Sequence, residues 1–203
     1  MWTSRQTYIL AVFCLLLGVA LGCLFRASAS PGGMDEADSS TGESSAQSQS
    51  ARPQFSPEEQ RQMADQAVAP LLTALKASPD DFGTIVNVAD LYYDGRQFSE
   101  AIQYYRRAAK IQPRNSDVLT DLGTSLWYSG DADQAIANFK RALKYRPGSP
   151  EALFNLGVVR WQGKMDPKGA TQAWEELLQR NPNYPQRQQV EEYIARAKQH
   201  LQG

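Results

Sequence analysis

Three patterns of apolar and polar residues follow one another along the chain. Between Arg5 and Arg26 lie twenty uncharged, mostly apolar residues, QTYILAVFCLLLGVALGCLF. As a helix rising 1.5 Å per residue they would span roughly 30 Å, the thickness of a bilayer's hydrocarbon, so residues 1–26 predict one transmembrane anchor. Trp2, Tyr8 and Phe25 lie near its ends, where aromatic rings favour the interface. Residues 27–55 are dense in Ser, Gly, Gln and acids and nearly empty of large aliphatics. They cannot bury enough surface to offset the entropy of ordering and predict a disordered linker. From Ser56 onward apolar residues recur three and four positions apart, the period of helices with one buried face. The stretch SPEEQ opens this region: Ser56 can cap, Pro57 takes the first helical position and Glu59 completes a capping box. A helix is expected from there to about Ala77, across Pro70.

The helical region repeats itself. Prolines stand at Pro79, Pro113, Pro147 and Pro182, and alanines at Ala67, Ala101, Ala135 and Ala170, both at spacings of 34, 34 and 35. A period in this range is the mark of a helical solenoid, in which each unit buries its apolar face only against its neighbours. The middle unit runs Leu119, Leu122, Gly123, Leu126, then Ala135, Phe139, Ala142 and Pro147. Small residues at Gly123, Ala135 and Ala142 allow close helix crossing, Phe139 fills the space between helices, and Pro147 ends the second helix. This order resembles the tetratricopeptide repeat family, W-x2-L-G-x2-Y followed by A-x3-F, A and P. The preceding copy has Ile85, Val88, Ala89 and Tyr92, then Ala101, Tyr105, Ala108 and Pro113. The following copy has Leu153, Leu156 and Gly157, then Ala170, Trp174, Leu177 and Pro182, with one residue more in its turn and Arg160 where the family has an aromatic ring.

The resemblance implies an all-α, right-handed solenoid of three repeats, at 82–115, 116–149 and 150–184. A capping half repeat at 56–80 would precede them, with Ala67, Leu71, Ala74 and Pro79 in the pattern's second half. A capping helix at 185–203 would follow, with the stripe Val190, Ile194, Ala197 and Leu201 turned inward.

Composition narrows the function. The net charge is -1, so nothing points to nucleic acid. Both cysteines, Cys14 and Cys23, lie in the apolar stretch, and His200 is the only histidine. No histidine-based metal site or catalytic triad can be assembled from that set, and neither an enzyme nor a cofactor is expected. Asp80 and Asp81 precede a helix, where one of them reads as its cap. Arg106, Arg107, Lys110, Lys140, Arg141 and Lys144 stand near the ends of second helices, where the helix dipole favours cations.

The family resemblance implies a module that binds protein or peptide along the face lined by the first helix of each repeat. By helical spacing that face carries Asn87, Asp90 and Tyr93, then Asp121, Trp127 and Tyr128, then Phe154, Asn155 and Trp161. It is aromatic and acidic. Chaperone-binding members hold a peptide's terminal carboxylates with a Lys/Arg/Asn clamp, whereas the comparable places here hold Val86, Asp90, Asp121, Glu151 and Asn155. A basic or neutral ligand is therefore expected. Trp127 and Trp161 read either as ligand anchors or as packing against the neighbouring turn and terminal helix.

The expected function is a membrane-tethered adaptor, of the kind found in envelope assembly, secretion or cytochrome maturation, with its soluble domain on the extracytoplasmic or periplasmic side. The alternative is a structural subunit docking by its solenoid edge or C-terminal helix, and a homo-oligomer is left open. Two other readings of the N-terminus stand beside the anchor: a signal cleaved at Ala27–Ala29, and a lipoprotein anchored at Cys23.

Overall fold

The structure, a computed structural model, describes residues 55–202. The expected transmembrane helix and all but the last residue of the expected linker lie outside the described residues. Among those described, every regular element is helical and no helix is long and apolar enough to cross a membrane. The eight α-helices are α1 (Pro57–Ala77), α2 (Phe82–Asp94), α3 (Phe98–Ile111), α4 (Ser116–Tyr128), α5 (Ala132–Tyr145), α6 (Pro150–Val158), α7 (Pro167–Arg180) and α8 (Arg187–Gln199). A π-helical turn, Val159–Gly163, extends α6.

Helix starts follow the chemistry of the residues before them. Ser56 and Glu59 form the capping box expected at α1: Glu59 N donates to Ser56 Oγ (3.2 Å) and Ser56 N donates to the Glu59 carboxylate (2.6 Å). Asp81 caps α2, accepting from Thr84 N at 2.8 Å, and hydrogen bonding from the Thr84 side chain first, and then from its backbone, holds its carboxyl below the usual carboxylate range. Asn115, Asp131, Ser149 and Asp166 cap α4, α5, α6 and α7. Such caps satisfy amides that have no partner within the helix.

Each helix packs on the next, and α4 also touches α6, so the first helices α2, α4 and α6 form one layer and the second helices α3, α5 and α7 the other. The core repeats with the sequence: Ala101, Ala135 and Ala170 are fully buried, as are Ala108, Ala142 and Leu177, and between them lie the buried rings of Tyr105, Phe139 and Trp174. Gly123 and Gly157 lie beneath the last two rings. A Cβ on Gly123 would come within 2.7 Å of Phe139, and one on Gly157 would overlap the Trp174 indole.

The half-repeat pattern of α1 is corrected in one respect. Ala67 and Ala74 are exposed, while Ala64, Val68 and Leu75 are buried. In a whole repeat those two alanines face the first helix of their own unit; among the described helices α1 packs mainly on α2, so a different stripe turns inward. At the other end Val190 and Ala197 are buried and Ile194 is half-buried, but Leu201 lies beyond α8 and is exposed.

The turn inside each unit passes through the left-handed region once: Arg96 at φ 57°, Gly130 at φ 93° and Met165 at φ 50°. Only the middle unit uses the residue that adopts this conformation without a Cβ penalty. Arg96→Gly and Met165→Gly should each raise stability by about 0.5 kcal/mol, read as a higher urea midpoint with an unchanged slope.

Candidate peptide-binding groove

The expected face is built from α2, α4, α6 and the π-helical turn. Its centre is a set of acids joined to tyrosines. Tyr105 Oη, reaching from α3, donates to Asp90 Oδ1 on α2 at 2.6 Å. Burial raises the Asp90 carboxyl, the bond from Tyr105 opposes the rise, and the charge of Asp94 adds to it. Burial and the Asp90 carboxylate both push the Tyr105 hydroxyl up. Tyr105→Phe keeps the ring in the core but leaves the Asp90 carboxylate without its donor. It should cost about 1 to 2 kcal/mol in chemical unfolding.

Asp121 on α4 is the most perturbed carboxyl of this set. Its side chain is half-buried, and among the described residues nothing donates to it. Burial first, and then the charges of Asp90, Asp117 and Glu151, push it up to about 7. Asp117 is otherwise occupied: Arg146 grips both its oxygens, at 2.6 and 2.9 Å. Both partners are exposed, so the pair adds little to stability.

The aromatic residues divide into three groups. Tyr93, Phe98 and Tyr128 form a cluster at the ends of α2 and α4 and the start of α3. Tyr128 stacks on Phe98 at 5.0 Å and 16°, and Tyr93 lies 5.7 Å from Phe98 and 6.0 Å from Tyr128. Burial, then Tyr128, push the Tyr93 hydroxyl up to about 12. Tyr128 is 55% exposed. Phe98 belongs to this cluster yet opens a second helix, so first-helix spacing alone does not reveal it. Trp127, by contrast, is half-buried with its indole against Gly163 of the neighbouring turn. In the third group, Phe154 lies 6.3 Å from Tyr193 of α8, and Trp161 meets His200 edge-on at 5.0 Å.

Of the polar positions, Asn87 is exposed on α2, and Asn155 Nδ2 on α6 donates to Thr124 Oγ1 on α4 at 3.1 Å. Thr120 on α4 is buried and donates to Ser116 O at 2.8 Å. Asn87, Asp90, Tyr93, Asp121 and Tyr128 thus gather on α2 and α4, while Phe154 and Trp161 stand toward α8. Trp127 is spent on packing between units.

Two tetratricopeptide repeat family models match the chain, over residues 83–115 and 120–185. Those two segments match tetratricopeptide repeats, and two of the solved structures the chain resembles are described as tetratricopeptide repeat domains. MamA is 18% identical, with a TM-score of 0.57, over 70% of this chain and 85% of that one. The Sgt2 repeat domain from Aspergillus fumigatus is 21% identical, with a TM-score of 0.55, over 60% and 80%. The first repeat domain of Spaghetti (RPAP3), solved with the HSP90 peptide SRMEEVD, is 16% identical, with a TM-score of 0.55, over 60% and 94%. At these identities the likeness is one of fold. A comparison with curated proteins found no match.

Proposed function

We propose that this protein is an adaptor that binds a partner protein or an extended peptide along α2, α4 and α6 and performs no chemistry itself. The observation that carries the reading is Asp121: a carboxylate half-buried among other acids, with no donor from the described residues. A fold gains nothing from such a group, whereas a cationic ligand would supply the missing partner. The structural relative bound to SRMEEVD holds an acidic peptide. The acids on this face favour the opposite sign, a basic or neutral segment. Residues 1–26 supply the membrane tether in this reading, with the soluble domain extracytoplasmic. The alternative of docking through the terminal helix has less behind it, because Val190 and Ala197 already serve the solenoid core.

The test is site-specific photocrosslinking in native membranes, with the reactive residue at exposed Asn87 and a control at exposed Lys140 on α5. A protein captured from position 87 and not from 140 is the expected result. Capture from α8 alone would favour the structural-subunit reading.

A further inference from the structure

Resting on that reading, a second feature defines what the ligand carries. Beside the end of α6 two adjoining cavities share Trp161 and Gln162. One, of about 300 Å³, is lined by Val158, Trp174, Tyr193 and Arg196. The other, of about 320 Å³, is lined by Met165, Pro167 and His200. Met165 is 79% exposed at its rim. The second is lined mainly by apolar surface and is large enough for one large apolar side chain, the kind of pocket where binding anchors sit, whereas the first is lined mainly by polar atoms.

The distance from this pocket to Asp121 follows from the helix register. The Asn155–Thr124 hydrogen bond sets α6 level with α4 at those residues. Asp121 lies three residues before Thr124 and Trp161 six residues after Asn155 on a parallel helix. A rise of 1.5 Å per residue and an interaxial distance of 8 to 10 Å place Trp161 about 16 Å from Asp121. An extended chain covers that span in four or five residues.

We propose that the cavity between Trp161 and Met165 seats a large apolar side chain of an extended partner segment whose lysine or arginine, four or five residues away, lies against Asp121. Charge complementarity selects the occupant. Asp90, Asp121 and Glu151 repel an acidic segment, and a purely apolar one would leave Asp121 buried without a partner. Tyr93 offers a ring beside the same cation.

The experiment is selection of displayed random peptides on the full chain in detergent micelles. Synthetic copies of the winners are then titrated against the wild type, Asp121→Asn and Met165→Asn. Asparagine preserves the shape of Asp121, and at 165 it tolerates the left-handed backbone while removing the apolar rim; circular dichroism checks that both variants stay helical. Winners should carry Lys or Arg with Trp, Phe, Leu or Met four or five positions away. Changing that Lys or Arg to Glu, or testing on Asp121→Asn, should weaken binding about tenfold. Met165→Asn should weaken it by a smaller factor. No enrichment, enrichment of acidic peptides, or affinities unmoved by both variants would overturn the inference, as would a dimer of the free protein that Asp121→Asn dissolves. A partner crosslinked at position 87 whose contact segment lacks this spacing would also overturn it while leaving the adaptor reading intact.

Discussion

Asp121→Asn is expected to stabilise the protein at pH 8 and to leave it unchanged at pH 3. The carboxyl titrates near 7 when folded, against 3.8 as its ordinary value, so between those limits the folded chain holds a proton that the unfolded chain has released. That raised folded value gives a contribution fully present below pH 4 and lost as pH rises through 7. Asparagine mimics the protonated side chain at every pH, so the variant's advantage should emerge above pH 4 and level off beyond pH 7. Three units correspond to about 4 kcal/mol, and water at the half-exposed carboxylate reduces this to about 2 to 3 kcal/mol. The groups facing the site are Asp90, Asp117, Glu151, Tyr93 and Tyr105, with the Arg146 cation held on Asp117. Urea unfolding from pH 3 to 8 decides the matter: an equal gain throughout would assign the effect to packing and remove the charge argument.

Gly157→Ala should cost about 3 kcal/mol. Its new methyl group would occupy the place of the Trp174 indole, which is 2% exposed and donates from Nε1 to Phe154 O at 3.1 Å. To make room the indole must leave its position, straining the α6–α7 contact and loosening that hydrogen bond. The double variant Gly157→Ala, Trp174→Leu should be more stable than the sum of its parts by at least about 1 kcal/mol. Strict additivity of the two changes would show that the ring does not press on the glycine.

What the sequence reveals and conceals here divides along a physical line. Ala135, Phe139 and Ala142 are legible because packing between neighbouring helices demands the same sizes at the same spacing in every unit. The caps at Ser56 and Asp81 are legible because they act within one turn of their helix. The environment of Asp121 is not, since it comes from Asp90 on another helix together with Glu151 from a third. The inward stripe of α1 is concealed for a related reason: Ala67 and Ala74 keep the pattern of a unit that has no first helix among the described residues. Trp127 has the spacing of a groove residue, and only the approach of Gly163 shows that it packs between units. The surplus residue of the last unit is visible in the spacing of 35 and is expected in its turn, but spacing does not say what backbone form absorbs it. The structure takes up the difference with the π-helical turn at Val159–Gly163.

That turn limits how such an array can be lengthened. A tandem copy of residues 116–149 would stand between the original second unit and the third, and the stack could grow at its middle. A copy of the last unit would carry the wider turn with it and present Trp161 to the start of another unit in place of His200, its present edge-on neighbour. Duplicating the second unit therefore leaves the Trp161–His200 contact in place, whereas duplicating the third breaks it in one copy.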